Sequence, residues 1–295
     1  MDEAKTVWTV ARIRTRANRS DAVIEILWEA GTLGVEERGL DDRQMVAYFS
    51  ADIQPQQLHQ QLQTLLRQRG VEPASLETDR CEIDPAAWLH SYRESFQGFA
   101  LGRRFHLHPS WETPSLRGRI PIQLDPGHAF GTGTHESTRL CIEALEDLLP
   151  GPAGMLDVGA GSGILSIAAR KLAPALPVCA LDYDWMAVEA ARENFEINRE
   201  QTIQLVCGSV DAVAGLFPLV VANLTAEILA VLGGRLRKIS SEYLVISGLT
   251  SDQAPRIIEL FAGATGFICR ERRSLNGWEC LQFARSARSA SGGSG

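Results

Sequence analysis

The residues best suited to chemistry lie in MLDVGAGSG, Met155 to Gly163, where a short apolar run meets a turn with glycine at 159, 161 and 163. Glycine there removes side chains at a point where backbone must pass close to something bulky. Ile164 to Leu172 follows with helical spacing, and the amino end of a helix aims free N–H groups at the same point. Asp157 sets a carboxylate beside those donors. The dinucleotide fingerprint G-x-G-x-x-G would need glycine at 164, where the chain has Ile164. Spacing alone leaves a bare packing turn or another nucleotide site open.

Three further stretches converge on this turn. Nineteen residues beyond Gly163, Asp182 ends the apolar run Val178 to Leu181, where a strand-end carboxylate can accept both hydroxyls of an adenosine ribose. Asn223 ends a second apolar run, Phe217 to Ala222, and its amide can both donate and accept. The alternative for Asn223 is a cap on the helix beginning near Thr225. Ile122 to His135, IQLDPGHAFGTGTH, alternates Gly131 and Gly133 with Thr132 and Thr134 before Glu136, Ser137 and Thr138 open an amphipathic helix toward Leu149. Such a loop supplies donors and hydroxyls for a polar ligand lying over the glycine turn, or an elaborate helix cap.

These side chains need a scaffold, and the pattern from Met155 onward supplies one. Apolar runs at Met155 to Val158, Val178 to Leu181, Ile203 to Val206, Phe217 to Ala222 and Tyr243 to Gly248 alternate with helical segments, the rhythm of an open parallel sheet. Its ligands bind beyond the carboxyl ends of the strands, where Gly159, Asp182 and Asn223 all fall. Phe267 to Arg273 and Trp278 to Phe283 form a terminal hairpin turned at Asn276-Gly277. The first 80 residues read as strand, helix, strand, strand, helix and a possible fourth strand, a small ferredoxin-like α+β domain.

From Asp84 to Trp111 the chain is dense in aromatics and arginines. Trp88, Tyr92 and Phe96 have helical spacing, which suits either packing between domains or the lining of a substrate cleft. His90, His106 and His108 are not spaced as metal ligands, and no metal is expected. The expected divisions are 1–80, a connector at 81–118, a larger domain at 119–284 and a disordered tail at 285–295.

Composition narrows the field. The 295 residues carry a net charge of −7 and are 45% apolar, as in an ordinary soluble protein. That balance argues against direct nucleic-acid binding or adhesion to anionic lipid, while a basic polypeptide partner is tolerated. Six scattered cysteines without C-x-x-C read as reduced core thiols. No signal peptide or membrane-spanning run is seen, so a cytoplasmic protein without membrane contact is expected, and a monomer.

The pattern D-x-G-x-G-x-G resembles the first motif of S-adenosylmethionine-dependent methyltransferases. HPSW, LDPGHAFGTGTH with ESTRLC, LDVGAGSGILSIAA, ALDYD and VVANLTAEIL together resemble the ribosomal protein L11 methyltransferase family, PrmA, over nearly the whole chain. The resemblance implies a seven-stranded Rossmann-like class I methyltransferase domain behind an amino-terminal substrate-recognition domain. It implies S-adenosylmethionine as cofactor, held at Thr138, Gly159, Gly161, Asp182 and Asn223. The implied substrate is a large-subunit ribosomal protein, L11, methylated on lysine or terminal amines by direct displacement. Asn223 is the candidate catalytic residue, accepting a hydrogen bond from the attacking amine, while Phe130 and apolar neighbours exclude water.

Overall fold

The alternation that opens the chain folds as β1 (Thr6–Arg16), followed by α1 (Ser20–Glu29), β2 (Gly34–Arg38), β3 (Asp42–Phe49), α2 (Pro55–Gln68) and β4 (Ser75–Ile83). The computed structural model describes residues 6–16, 19–38, 42–83, 97–125, 135–262 and 266–286. They belong to two units, Met1–Phe96 and Gln97–Gly295.

In the first unit the sheet order is β2-β3-β1-β4, with every pairing antiparallel. This is the ferredoxin-like arrangement expected from the element order, with the fourth strand now definite. Period-two alternation puts Ala11, Ile13, Met45, Ala47 and Phe49 on one face. There they pack with Val23, Ile26 and Leu27 of α1 and Leu58, Leu62 and Leu66 of α2. Pro55 opens α2, where its missing N–H costs nothing. Gln56, Gln57, Gln60 and Gln61 are exposed, a solvated helix face.

The second unit opens with a small sheet of β5 (Phe99–Leu101), β6 (Phe105–His108) and β7 (Ile120–Gln123), in that order. The connector expected over 81–118 is therefore divided. Cys81 to Ile83 finish β4, and residues 97–118 contribute two strands to the second unit. These strands are three and four residues long and turn at Gly102, so no alternating run is long enough to betray them. Trp88, His90, Tyr92 and Phe96 lie outside the described residues, as do 126–134, with Phe130, Gly131 and Gly133, and the tail beyond 286.

The main sheet is built from α3 (Glu136–Leu148), β8 (Met155–Val158), α4 (Ile164–Leu172), β9 (Val178–Asp182), α5 (Trp185–Ile197), β10 (Gln204–Cys207), β11 (Phe217–Asn223), α6 (Ala226–Ile239), β12 (Ser240–Thr250), α7 (Ala254–Ala262), β13 (Phe267–Leu275) and β14 (Trp278–Arg285). Seven strands run in the order β10-β9-β8-β11-β12-β14-β13. The first five are parallel and β14 is antiparallel to both neighbours. All four residues of β8 are buried, as a central strand covered on both faces requires. One face forms a core of Leu156, Val158, Val220, Ala222, Leu244 and Ile246 with Leu229, Leu236, Ile257 and Phe261 of α6 and α7. The hairpin turns at Asn276-Gly277 with both residues at positive φ, the geometry that matches strand twist. The cysteines are free thiols, but only Cys141 and Cys280 are core residues as expected; Cys81, Cys179 and Cys269 are half-buried and Cys207, on the edge strand β10, is exposed. Among the described residues no helix is long and apolar enough to cross a membrane, and no His, Cys, Asp or Glu cluster could hold a metal ion.

Candidate active site

Strand order places the ends of β8, β9 and β11 side by side, and the chain turns there without side-chain bulk. Gly159 has φ +73, and a Cβ built on it would lie 2.3 Å from Leu224 Cδ2. The close neighbour that excludes a side chain is thus the chain's own residue after Asn223, so the glycine serves packing as well as access. The Gly159 and Ala160 N–H groups both donate to Leu181 O, at 2.8 and 3.1 Å, which ties the turn to β9. The capping residue of α4, Gly163, has no side chain to cap it, and of the first-turn amides Asp157 takes that of Ser166, which leaves the amides before it to an anionic group.

Asp182 is buried at the end of β9 with its carboxylate in the crevice. Oδ2 accepts from Gly161 N–H at 2.9 Å and Oδ1 from Asp184 N–H at 3.0 Å. Each oxygen retains acceptor capacity toward a ligand hydroxyl. Asp157 is 1% exposed. Its Oδ2 accepts from Ser166 Oγ at 2.7 Å, and its Oδ1 is buried with no partner. Burial pushes this carboxyl up to about 6, the Asp182 charge adds to the rise, and Ser166 opposes it.

Asn223, at the end of β11, donates from Nδ2 to Thr138 Oγ1 at 3.4 Å, a contact joining residues 85 apart in sequence. Its Oδ1 is buried and unpartnered. Asn223 is not the cap of α6: the capping position is Thr225, and no side chain bonds the helix end. Thr138, 1% exposed, is in the first turn of α3, which His135 caps by accepting from Ser137 N–H at 3.2 Å. The His135 ring meets Trp278 edge-on at 4.5 Å, and Asn276 donates to Glu136 at 3.0 Å. The terminal hairpin therefore anchors the helix start that carries Thr138.

The structure brings Gly159, Gly161 and Asp182 together at the first two strand ends, and Thr138 with Asn223 beside them. His106 and His108 lie apart on β6 with rings stacked at 6.4 Å. Sequence reading missed Asn194 on α5 and Asn198, its C-terminal cap, which bond the turn and β7, and Gly248, which lets β12 pass Leu224. Only Gly248 left a signal, a glycine inside an apolar strand pattern.

Sheet order with one antiparallel strand, a glycine turn after the first strand and a carboxylate at the end of the second define a class I S-adenosylmethionine-dependent methyltransferase. The chain matches the family described as "Ribosomal protein L11 methyltransferase (PrmA)" over residues 7–286. It is 34% identical over 283 residues to the ribosomal protein L11 methyltransferase of Gloeobacter violaceus, covering 93% of this chain and 88% of the relative. It is 36% identical over 261 residues to that of Pelobacter propionicus, covering 82% of each. The crystal structure of ribosomal protein L11 methylase from Lactobacillus delbrueckii subsp. bulgaricus superposes with a TM-score of 0.61 at 34% identity, over 65% of this chain and 100% of that one. The chain belongs to the ribosomal protein L11 methyltransferase (PrmA) family.

Proposed function

We propose that this protein transfers methyl groups from S-adenosylmethionine to lysine or amino-terminal amines of ribosomal protein L11, in the cytoplasm. The structural observation that carries the reading is the buried, unpartnered Oδ1 of Asn223 at the mouth of the sheet, an acceptor without a donor. The names of its relatives supply the substrate. The first unit serves as the substrate-recognition domain.

The residues present fit the cofactor. Asp182 suits the ribose hydroxyls, the uncapped start of α4 suits a carboxylate, and the orphaned Oδ1 of Asp157 suits an ammonium. Gly159, whose side-chain space Leu224 fills, keeps the turn tight, and Thr138 and Asn223 close the other side. When bound, the cofactor supplies an electrophilic methyl group on a sulfonium, open to in-line displacement by a neutral amine. Holding a lysine neutral at pH ~7.4 against an ordinary pKa of ~10.4 costs roughly 4 kcal/mol. Exclusion from water lowers that cost by disfavouring the charged amine. Asn223 accepts a hydrogen bond from the amine and aims its lone pair, because Thr138 holds the Nδ2 end of the amide away. Alignment carries most of the acceleration.

The test is incubation of purified large-subunit components with the enzyme and methyl-labelled cofactor. Label should enter one protein and be released by protease and not by nuclease. Label in RNA, or in several proteins equally, contradicts the reading.

A further inference from the structure

Helix α5 meets the crevice at three levels. At its start Asp184 caps the helix by accepting from Met186 N–H at 2.9 Å, and its own N–H holds Asp182 Oδ1. Further along, Asn194 Nδ2 donates to the carbonyl of Ser162, inside the glycine turn, at 2.9 Å. At the far end Asn198, 8% exposed, accepts from Gln123 N–H at 3.0 Å. Its Nδ2 donates to Gln123 O at 2.7 Å and to Asn194 O at 2.9 Å. The Asn198 amide thus takes both backbone bonds of a β7 residue, as a neighbouring strand would. Between the two asparagines Phe195 abuts the turn so closely that a Cβ on Gly163 would lie 2.4 Å from its Cε1.

The Asp184 cap and the Asn198 bond to Asn194 O serve the helix itself, whereas the Asn194 bond to Ser162 O and the Asn198 bonds to Gln123 reach outward, to the glycine turn and to β7. We propose that Asn194 and Asn198 are positioning residues of the cofactor site, Asn194 by holding Ser162 of the glycine turn and Asn198 by fixing the Asn194 end of the helix against β7, so that the turn keeps its distance from Asp182. Gly161, whose N–H donates to Asp182, adjoins Ser162, whose carbonyl Asn194 holds, so the glycine turn is tied to β9 and to α5 at neighbouring residues. A ligand that bridges turn and carboxylate gains from finding both already held by one rigid element. The proposal rests on the reading of this crevice as the S-adenosylmethionine site.

The test uses the full chain carrying Asn194→Asp, a near-isosteric change that turns the donor into an acceptor facing Ser162 O, and separately Asn198→Ser. Calorimetric titration with S-adenosylmethionine should show affinity weakened about five- to tenfold in each, a loss of about 1 kcal/mol in the pre-organisation of the turn. The KM for cofactor should rise in parallel, while kcat at saturating cofactor and the KM for L11 stay near parental values. A lowered melting temperature with unchanged cofactor affinity in both variants would assign the two residues to folding alone and overturn the proposal. A parent chain that itself gives no heat with S-adenosylmethionine would instead overturn the cofactor reading. Because Asn198→Ser retains a small polar group, it keeps the question answerable if Asn194→Asp does not fold.

Discussion

Asp182 accepts the Gly161 N–H through Oδ2 at 2.9 Å, so the carboxylate at the end of β9 and the glycine turn after β8 form one unit before any ligand arrives. Asp182→Asn sets an amide N–H₂ against one of the two backbone donors that the carboxylate now accepts. The loss of a charge-assisted partner should weaken S-adenosylmethionine binding about ten- to hundredfold. Isothermal titration reads this directly, and an unchanged dissociation constant would remove Asp182 from the cofactor site.

Gly159 and Gly248 press on the same residue from two sides, and the obstacle differs. At Gly159 a Cβ meets the Leu224 side chain, whereas at Gly248, φ +85, it would lie 2.4 Å from Leu224 O and 2.7 Å from Leu224 C. Alanine at either position pays about 1–2 kcal/mol for left-handed backbone, with about 1–3 kcal/mol more from overpacking. Leu224→Ala should recover part of the loss in Gly159→Ala and none in Gly248→Ala, since a backbone atom cannot be trimmed. Urea midpoints of the three single and two double variants decide it, and equal rescue would contradict the geometry.

Asp157 makes stability depend on pH. Its carboxyl titrates at about 6 in the folded chain against an ordinary 3.8, so the folded state holds its proton more tightly. The group costs nothing while protonated in both states. Its cost grows as pH rises from ~4 to ~6 and levels near 3 kcal/mol above that, at about 1.4 kcal/mol for each pH unit of separation. Asp157→Asn should therefore flatten the fall in stability across that window, measured by denaturation at a series of pH values. Parallel curves for variant and parent would show that Asp157 is not strained by burial.

Asn223→Ala removes the acceptor assigned to the attacking amine. Single-turnover methyl transfer at saturating cofactor should slow about a hundredfold, the scale of a misplaced nucleophile. A full single-turnover rate would refute the aiming role.

Much of the scaffold was legible because buried parallel strands must be apolar throughout. Val178 to Leu181 and Phe217 to Ala222 stand out, and the first polar residue after each, Asp182 and Asn223, is at the carboxyl edge. The short strands β5 and β6 escaped because three or four residues rich in arginine and aromatic neighbours show no period. The bonds that finish the site escaped for another reason. Asn198 to Gln123 spans 75 residues and Asn223 to Thr138 spans 85, so each exists only once the sheet has assembled. A helix-end asparagine looks the same in sequence whether it caps its own helix or holds a distant strand.

The central claim is most directly tested by intact-mass spectrometry of purified L11 before and after incubation with this enzyme and S-adenosylmethionine, followed by peptide mapping. The account predicts added methyl groups on lysine or the terminal amine of L11, and none when cofactor is omitted. An L11 mass unchanged at full cofactor occupancy would contradict it.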